Sequence, residues 1–319
     1  WYHTLASSYT LSAPLVELLS FAPELLGQPE YAPLMCRVWE EAVLLAPEDM
    51  LYSFGMSVYG AMAQMVGHPN SPVIMEPIFA IDMHVRALPT ARLGAMADIM
   101  RATHLDQAIL ASLCRENDMY HVRQRCAILV SRMALTMPPP TFHDMVRATT
   151  RWPDLCRCLI STSVILTHAR SRKLMALGLA HILRHASAED TGLLSAVPDM
   201  IGLWTEVLGE VVEDEAGSAD RYEREVSPTR VLEIGEDGIP FLDEFGLIET
   251  ASTPSSARTD AVRKRDPAFT VPFRAYVADT LNTVLQDGSH KTELQSLLAT
   301  IDPLVLDTLQ RGLSERPAA

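Results

Sequence analysis

Glycine and aromatic residues are scarce in this chain: 15 glycines stand in 319 residues, and Phe, Trp and Tyr together make up 6%. Sheets draw on aromatic and β-branched residues, whereas the plentiful Leu, Ala and Met favour helix. No stretch shows a convincing period-two alternation. No apolar run approaches the roughly 20 residues that cross a bilayer as a helix, so no membrane insertion is expected. Cations are short as well: 26 Lys and Arg stand against 40 Asp and Glu, a formal net charge of −14. Nucleic-acid binding needs a basic footprint. The charge therefore argues against direct nucleic-acid contact and permits a basic partner.

Motifs of covalent chemistry are missing too. The five cysteines, Cys36, Cys114, Cys126, Cys156 and Cys158, are odd in number and lie mostly in apolar helical pattern. That suits buried thiols in a reducing compartment better than a disulfide framework. Cys156 and Cys158 form C-x-C, with no second pair at zinc-ribbon spacing. The nucleophile elbow, the dinucleotide fingerprint and the P-loop are all absent. One stretch invites a closer look: HARSRKLMALGLAHILRH, residues 168–185, places His181 and His185 on one helix face. Zinc would need a third ligand and orienting partners, and Ile, Leu and Arg after His181 rule out H-E-x-x-H. We read the stretch as a structural helix with a solvated start at Ser171-Arg172-Lys173 and close packing at Gly178. No catalytic residue, metal site or cofactor is assigned, and no enzyme is expected.

What the chain does have is helix after helix. PEYAPLMCRVWEEAVLLAP (29–47) is bounded by proline, and the next stretch (47–67) ends in Gly67, a fitting stop. Asn70 or Ser71 ahead of Pro72 is an N-cap candidate for the following helix. PPP at 138–140 breaks the series, and further helices are expected near 141–150, 152–167, 169–186 and 196–215. Several are apolar nearly all round, so neighbours must sandwich them. Helix pairs recurring every 40-odd residues are the mark of HEAT or armadillo stacking. The expected fold is an all-α HEAT-repeat superhelical solenoid over residues 1–215. Trp39, Trp152 and Trp204 are assigned to packing. So are Met62, Met65, Met75, Met83, Met96 and Met100, in preference to grooves for Phe-Gly peptides.

The pattern changes after the helix near 196–215. Between Glu206 and Glu249 fourteen acids face three cations, Arg221, Arg224 and Arg230, a net of −11. Residues 216–265 are expected to form an acidic, mobile linker, with a docked patch around Ile239–Phe245. Residues 266–319 would hold two capping stretches, 266–286 and 290–313, and a tail. Glu206, Glu210, Glu213 and Asp214 project from a helix end, where carboxylates oppose the dipole. They are the candidate contacts for the Lys and Arg of a basic cargo.

Asp118, Val122-Arg123, Cys126-Ala127, Leu129-Val130 and Met133 resemble the second helix of a HEAT repeat. A basic cluster, Arg263–Arg265, then Asp266-Pro267, an amphipathic run from Phe273 to Leu285, Asp302, and Leu309-Gln310 follow in order. Together with GLWTEVLGEVVED (202–214), residues 150–313 resemble the end of importin-beta superfamily nuclear transport receptors, most of all the importin-eleven branch. Residues 1–150 resemble HEAT repeats only. The resemblance implies the cargo-binding C-terminal part of a nuclear import receptor that shuttles between nucleus and cytoplasm under Ran-GTP control. Ran-GTP and nucleoporins would engage the full-length receptor, chiefly through earlier repeats, and no Ran-binding residue is transferred. With Trp1 rather than Met at its start, the chain is expected to be a piece of a longer protein. Another HEAT scaffold, such as an exportin or a phosphatase-type adaptor, is the first alternative, and a helical enzyme the second.

Overall fold

The computed structural model describes residues 11–68, 73–115, 120–166, 168–187, 189–190, 192–215, 258, 261–262, 264–286 and 291–314, with only helical backbone at 211–215. Among them are α-helices and two 3-10 turns, and no strand. In chain order the helices are α1 (Ala13–Ser20), α2 (Ala22–Leu26), α3 (Ala32–Leu45), α4 (Pro47–Gly67), α5 (Met75–Ala87), α6 (Leu93–Ala102), α7 (Leu105–Cys114) and α8 (Tyr120–Thr136). They continue as α9 (Pro139–Thr149), α10 (Trp152–Val164), α11 (Ala169–Arg184), α12 (Val197–Glu215), α13 (Pro267–Thr270), α14 (Phe273–Gln286), α15 (Lys291–Leu298) and α16 (Pro303–Ser314). The 3-10 turns are Thr90–Arg92 and Leu193–Ala196.

Proline places most of the joints. It sits in the first two positions of α1, α2, α3, α4, α9, α10 and α13. There its missing N–H would have had no helical partner, and its fixed φ suits the first turn. The same residue explains two departures from the expected pattern. The stretch read as one helix over 266–286 breaks between α13 and α14 at Val271-Pro272, and 290–313 breaks between α15 and α16 at Asp302-Pro303. Proline pushes the residue before it out of the helical region.

Two layers of helices stack. In the first, α3 packs on α5, α5 on α8, α8 on α11, and α11 on α14. In the second, α4 packs on α7 and α7 on α10, while α10 meets the 3-10 turn that leads into α12. First-layer helices begin at Ala32, Met75, Tyr120 and Ala169, so the unit recurs every 43 to 49 residues. The last two units hold three elements each, a long first-layer helix, a short helix or 3-10 turn, and a second-layer helix; the first unit lacks the short element, and the second has both a 3-10 turn and a short helix. That period and content suit HEAT or armadillo stacking. The final helices join the stack, α14 against α11 and α16 against α12.

The core is continuous through the stack. Trp39, Trp152 and Trp204 are buried, as are Met62, Met65, Met96 and Met100, while Met75 and Met83 pack partly against the core. Trp204 Nε1 donates to the Ala176 carbonyl at 3.0 Å, which ties α12 to α11. At the α8–α11 crossing, a Cβ on Gly178 would lie 2.9 Å from the Ser131 Cβ and 3.1 Å from its carbonyl oxygen. The expected capping residues Asn70 and Ser71, most of the linker at 216–265 and the patch Ile239–Phe245 lie outside the described residues.

One buried polar knot ties the first two units. His84 Nε2 lies 2.9 Å from the Pro47 carbonyl, so that nitrogen carries the proton and donates. Nδ1 then accepts from the Tyr59 hydroxyl at 2.7 Å, and Trp39 closes the knot edge-on, 5.6 Å from the imidazole. Burial lowers the His84 pKa to about 4 from 6.5. On the facing surfaces of α3 and α5, Glu40 sits near Glu41, Glu76, Asp82 and Arg37. Burial first, then Glu76, Glu41 and Asp82, outweigh Arg37 and raise its pKa to about 7 from 4.5.

These two groups predict opposite slopes of stability with pH. His84 titrates lower in the fold, so its contribution is complete above pH 6.5 and disappears as pH falls through about 4. By linkage it is worth at most about 3 kcal/mol. Glu40 titrates higher in the fold, so its contribution is complete below pH 4.5 and disappears as pH rises through about 7. Glu40→Gln should therefore raise the denaturation midpoint at pH 8 and leave it almost unchanged at pH 5. Equal shifts at both pH values would contradict this account.

Candidate functional site

The candidate carboxylates stand on α12. Gly192, at φ +80°, turns the chain into the 3-10 turn that precedes this helix, a left-handed conformation suited to glycine. Met200, Ile201, Leu203, Trp204, Val207 and Leu208 are buried and hold α12 against its neighbours. Glu206 and Glu210, one turn apart, project together toward α11. There the Arg172 guanidinium bridges them: one terminal nitrogen contacts Glu206 Oε2 at 2.5 Å, the other Glu210 Oε1. The Arg172 side chain is 15% exposed and that of Glu206 61% exposed. Glu213 and Asp214 lie in the last turn of the same helix, and their side chains are outside the described residues.

This corrects the reading of Ser171-Arg172-Lys173 as a solvated start. Ser171 is buried and Arg172 is held by two carboxylates of the next helix. The partners are 34 and 38 residues away in sequence, so no local pattern discloses the pairing.

The histidine face of α11 is a seam with α14. His181 Nδ1 is hydrogen-bonded to the Tyr276 hydroxyl, and the His185 ring lies 4.5 Å from that of His181. Arg184 reaches over the Tyr276 ring and pairs with Asp279 at 2.6 Å. Burial, followed by the charges of His185, Arg184 and His143, lowers His181 to about 4, so it is a neutral packing group near neutrality. Among the described residues, no three His, Cys, Asp or Glu side chains are grouped to hold a metal ion.

Two polar hubs escaped the sequence reading. Asp190 accepts from Trp152 Nε1 and Arg147 Nε, each at 2.8 Å, from His143 Nδ1 at 3.0 Å and from the Ser187 amide at 2.7 Å. It binds the turn after α11 to α9 and α10. Burial opposes its ionisation, but the Arg147 hydrogen bond and its other donors hold the carboxyl well below the usual range. Ser187 and Asp190, three apart and just before Gly192, carry a turn signal but no hint of their distant partners.

The second hub is Asp266, the residue of the Asp-Pro step. Its Oδ1 caps α13 by accepting from the Ala268 amide at 2.9 Å. Its Oδ2 meets Arg132 Nε of α8 at 2.8 Å and lies 3.5 Å from Arg86 Nε of α5. Asp82 pairs with Arg86 at 2.6 Å and also contacts Arg132. The side chains of Arg132 and Asp266 have no solvent exposure. Burial works against the Asp266 charge, yet Arg132 and Arg86 outweigh it and keep the carboxyl below its ordinary pKa. The chain thus leaves the repeats beside α11, at the Arg172 bridge, and returns beside α8.

No helix among the described residues is long and apolar enough to cross a membrane. Nothing matches among curated proteins or among solved structures. A family model described as importin-11-like, TPR repeats, matches residues 1–314. HEAT and TPR repeats are both stacked antiparallel helix pairs, as the two layers here are. Receptors of this kind are transport proteins with a nuclear import type of function, not typically enzymes. The chain, matched over nearly its whole length, belongs to the importin-11-like family of importin-beta nuclear transport receptors.

Proposed function

We propose that this chain is the cargo-binding, C-terminal part of a nuclear import receptor whose loading is under Ran-GTP control. The match over residues 1–314 carries the reading. Ran-GTP and nucleoporins act through the full-length receptor, which shuttles between nucleus and cytoplasm. The chain divides into repeats (1–215), an acidic linker (216–265) and capping helices with a tail (266–319). Each unit of a solenoid touches only its neighbours, so the stack can change curvature and with it the fit to cargo.

The cargo is a protein with an exposed basic segment, contacted by Glu206, Glu210, Glu213 and Asp214. Arg172 bridges the first two of these and acts as an internal placeholder for a cargo guanidinium. A decisive test is capture of nuclear proteins on this fragment and on the full-length receptor, with and without Ran-GTP. Basic proteins should be enriched on both, and Ran-GTP should release them from the full-length receptor. A captured set with no basic bias would sink the cargo role of this region.

The placeholder makes a sharper prediction. Arg172→Ala should free the two carboxylates and tighten binding of an Arg-rich peptide several-fold, in line with about 1 kcal/mol for a partly exposed ion pair. Glu206→Gln with Glu210→Gln should weaken it and flatten its salt dependence. Calorimetric titration at two ionic strengths reads both effects. Equal affinities in all three proteins would exclude these carboxylates as contacts.

A further inference from the structure

Two of the five cysteines stand apart. Cys36, Cys126 and Cys156 are buried, whereas Cys114 and Cys158 are partly exposed. Cys114 is the last residue of α7, and Cys158 lies in the middle of α10. These second-layer helices belong to neighbouring units and pack directly on each other. The two thiols meet across that seam, near enough for each to influence the other's ionisation. Arg123 of α8 reaches Ser161 Oγ, one turn along α10 from Cys158, at 3.2 Å, and Arg157 is the neighbouring residue on α10. Asp154 lies near both thiols with opposing charge, and Thr150 lies beside Cys114.

We propose that Cys114 and Cys158 form a peroxide-responsive thiol pair whose disulfide staples α7 to α10 across the seam between two neighbouring units. The roles of the two sulfurs are unequal. The contact with Cys114, then, against burial, the charges of Arg123 and Arg157, favour the thiolate at Cys158, the sulfur whose helix turn Arg123 reaches. Cys158 is therefore the attacking thiolate. Its sulfur takes one oxygen from a hydroperoxide: the S–O bond forms, the O–O bond breaks, and the remaining oxygen leaves as hydroxide. That hydroxide removes the Cys114 proton as water. The Cys114 thiolate then attacks the Cys158 sulfenic sulfur, the S–S bond forms, the S–O bond breaks, and the leaving hydroxide takes up the proton that Cys158 released on ionising, giving a second water. Two thiols and hydrogen peroxide thus give one disulfide and two waters. In a glutathione-rich compartment the pair rests reduced and returns to that state after an oxidant pulse. While it lasts, the bridge fixes one seam of a stack that otherwise flexes at every seam.

The test uses the full, reduced chain treated with hydrogen peroxide, alkylated and mapped by mass spectrometry without reduction. The expected product is an intramolecular Cys114–Cys158 cross-linked peptide that dithiothreitol reverses. Cys114→Ser should stop at a sulfenic acid on Cys158, trapped by dimedone. Cys158→Ser should leave Cys114 unreacted under the same dose. Hydrogen exchange at α7 and α10 should slow in the oxidised protein. No linked peptide, linkage through the three buried cysteines at the same rate, or dimedone labelling of Cys114 in place of Cys158 would each overturn the proposal.

Discussion

Gly178→Ala is expected to push α11 off α8 and to destabilise the middle of the stack by about 1–2 kcal/mol. The added methyl would meet Ser131 at its Cβ, Cα and carbonyl oxygen, all within 3.1 Å. Two of those atoms are backbone, so no side-chain rotation relieves the clash, and α11 must move as a whole. Overpacking of this kind costs about 1–3 kcal/mol and sometimes more. Exchanging glycine for alanine inside a helix returns just under about 1 kcal/mol, which leaves a net loss. Gly60→Ala in α4 is the matched control, because nothing lies within 4 Å of that position. It should gain just under about 1 kcal/mol. Denaturant midpoints give the two signs, and hydrogen exchange should show the loss confined to α8, α11 and their neighbours, since solenoid stability is a sum of local terms. A neutral or stabilising Gly178→Ala would mean that the crossing opens freely.

Gly178 also shows how far the sequence could be read. A small residue amid Leu174, Leu177, Leu179, Ile182 and Leu183 announces a close helix approach, and the structure places one there. Helix identity was legible for the same local reasons: apolar coverage, proline at starts and Gly67 at a stop. Short elements were not. The helices over Ala13–Leu26 and the 3-10 turn at Thr90–Arg92 are too brief to show a period. Valine before Pro272 and Asp302 before Pro303 carried the two missed breaks, but the apolar pattern runs across both and conceals them.

The site was legible by type and not by partner. Glu206 and Glu210 are on one helix face, as their spacing dictates. That Arg172 would fill the gap between them depends on how α11 and α12 cross, which only tertiary packing fixes. The histidines show the reverse. Their spacing suggested a metal pair, while the seam with Tyr276 and Asp279 explains them as packing. Buried charge is the least legible feature. Arg132 occupies a helix otherwise lined by Ile128, Leu129, Val130 and Met133, and its partner Asp266 lies 134 residues away.

That partner supplies the other large effect. Asp266→Ala should cost about 3–5 kcal/mol, the usual penalty for breaking a buried ion pair from one side. Two guanidinium groups, Arg132 and Arg86, now share the charges of Asp266 and Asp82. With Asp266 gone, both guanidinium groups lose a buried carboxylate that now faces them. The variant also loses the α13 cap, worth about 1 kcal/mol. Asp266→Asn separates the two contributions, because an amide oxygen still accepts from Ala268 while the charge is gone. It should recover only the cap's share. The wild-type advantage should persist in high salt, since solvent ions screen a buried pair poorly. It should fade in acid: Asp266 titrates below its ordinary 3.8 in the fold, so its contribution is complete above that value and is lost as pH falls beneath it. Proteolysis beside Arg265 and hydrogen exchange at α13 report the release directly. Unchanged protection there in Asp266→Ala would show that α14, anchored by buried Phe273 and Val277, holds the segment alone and that the ion pairs do not fix where the chain returns.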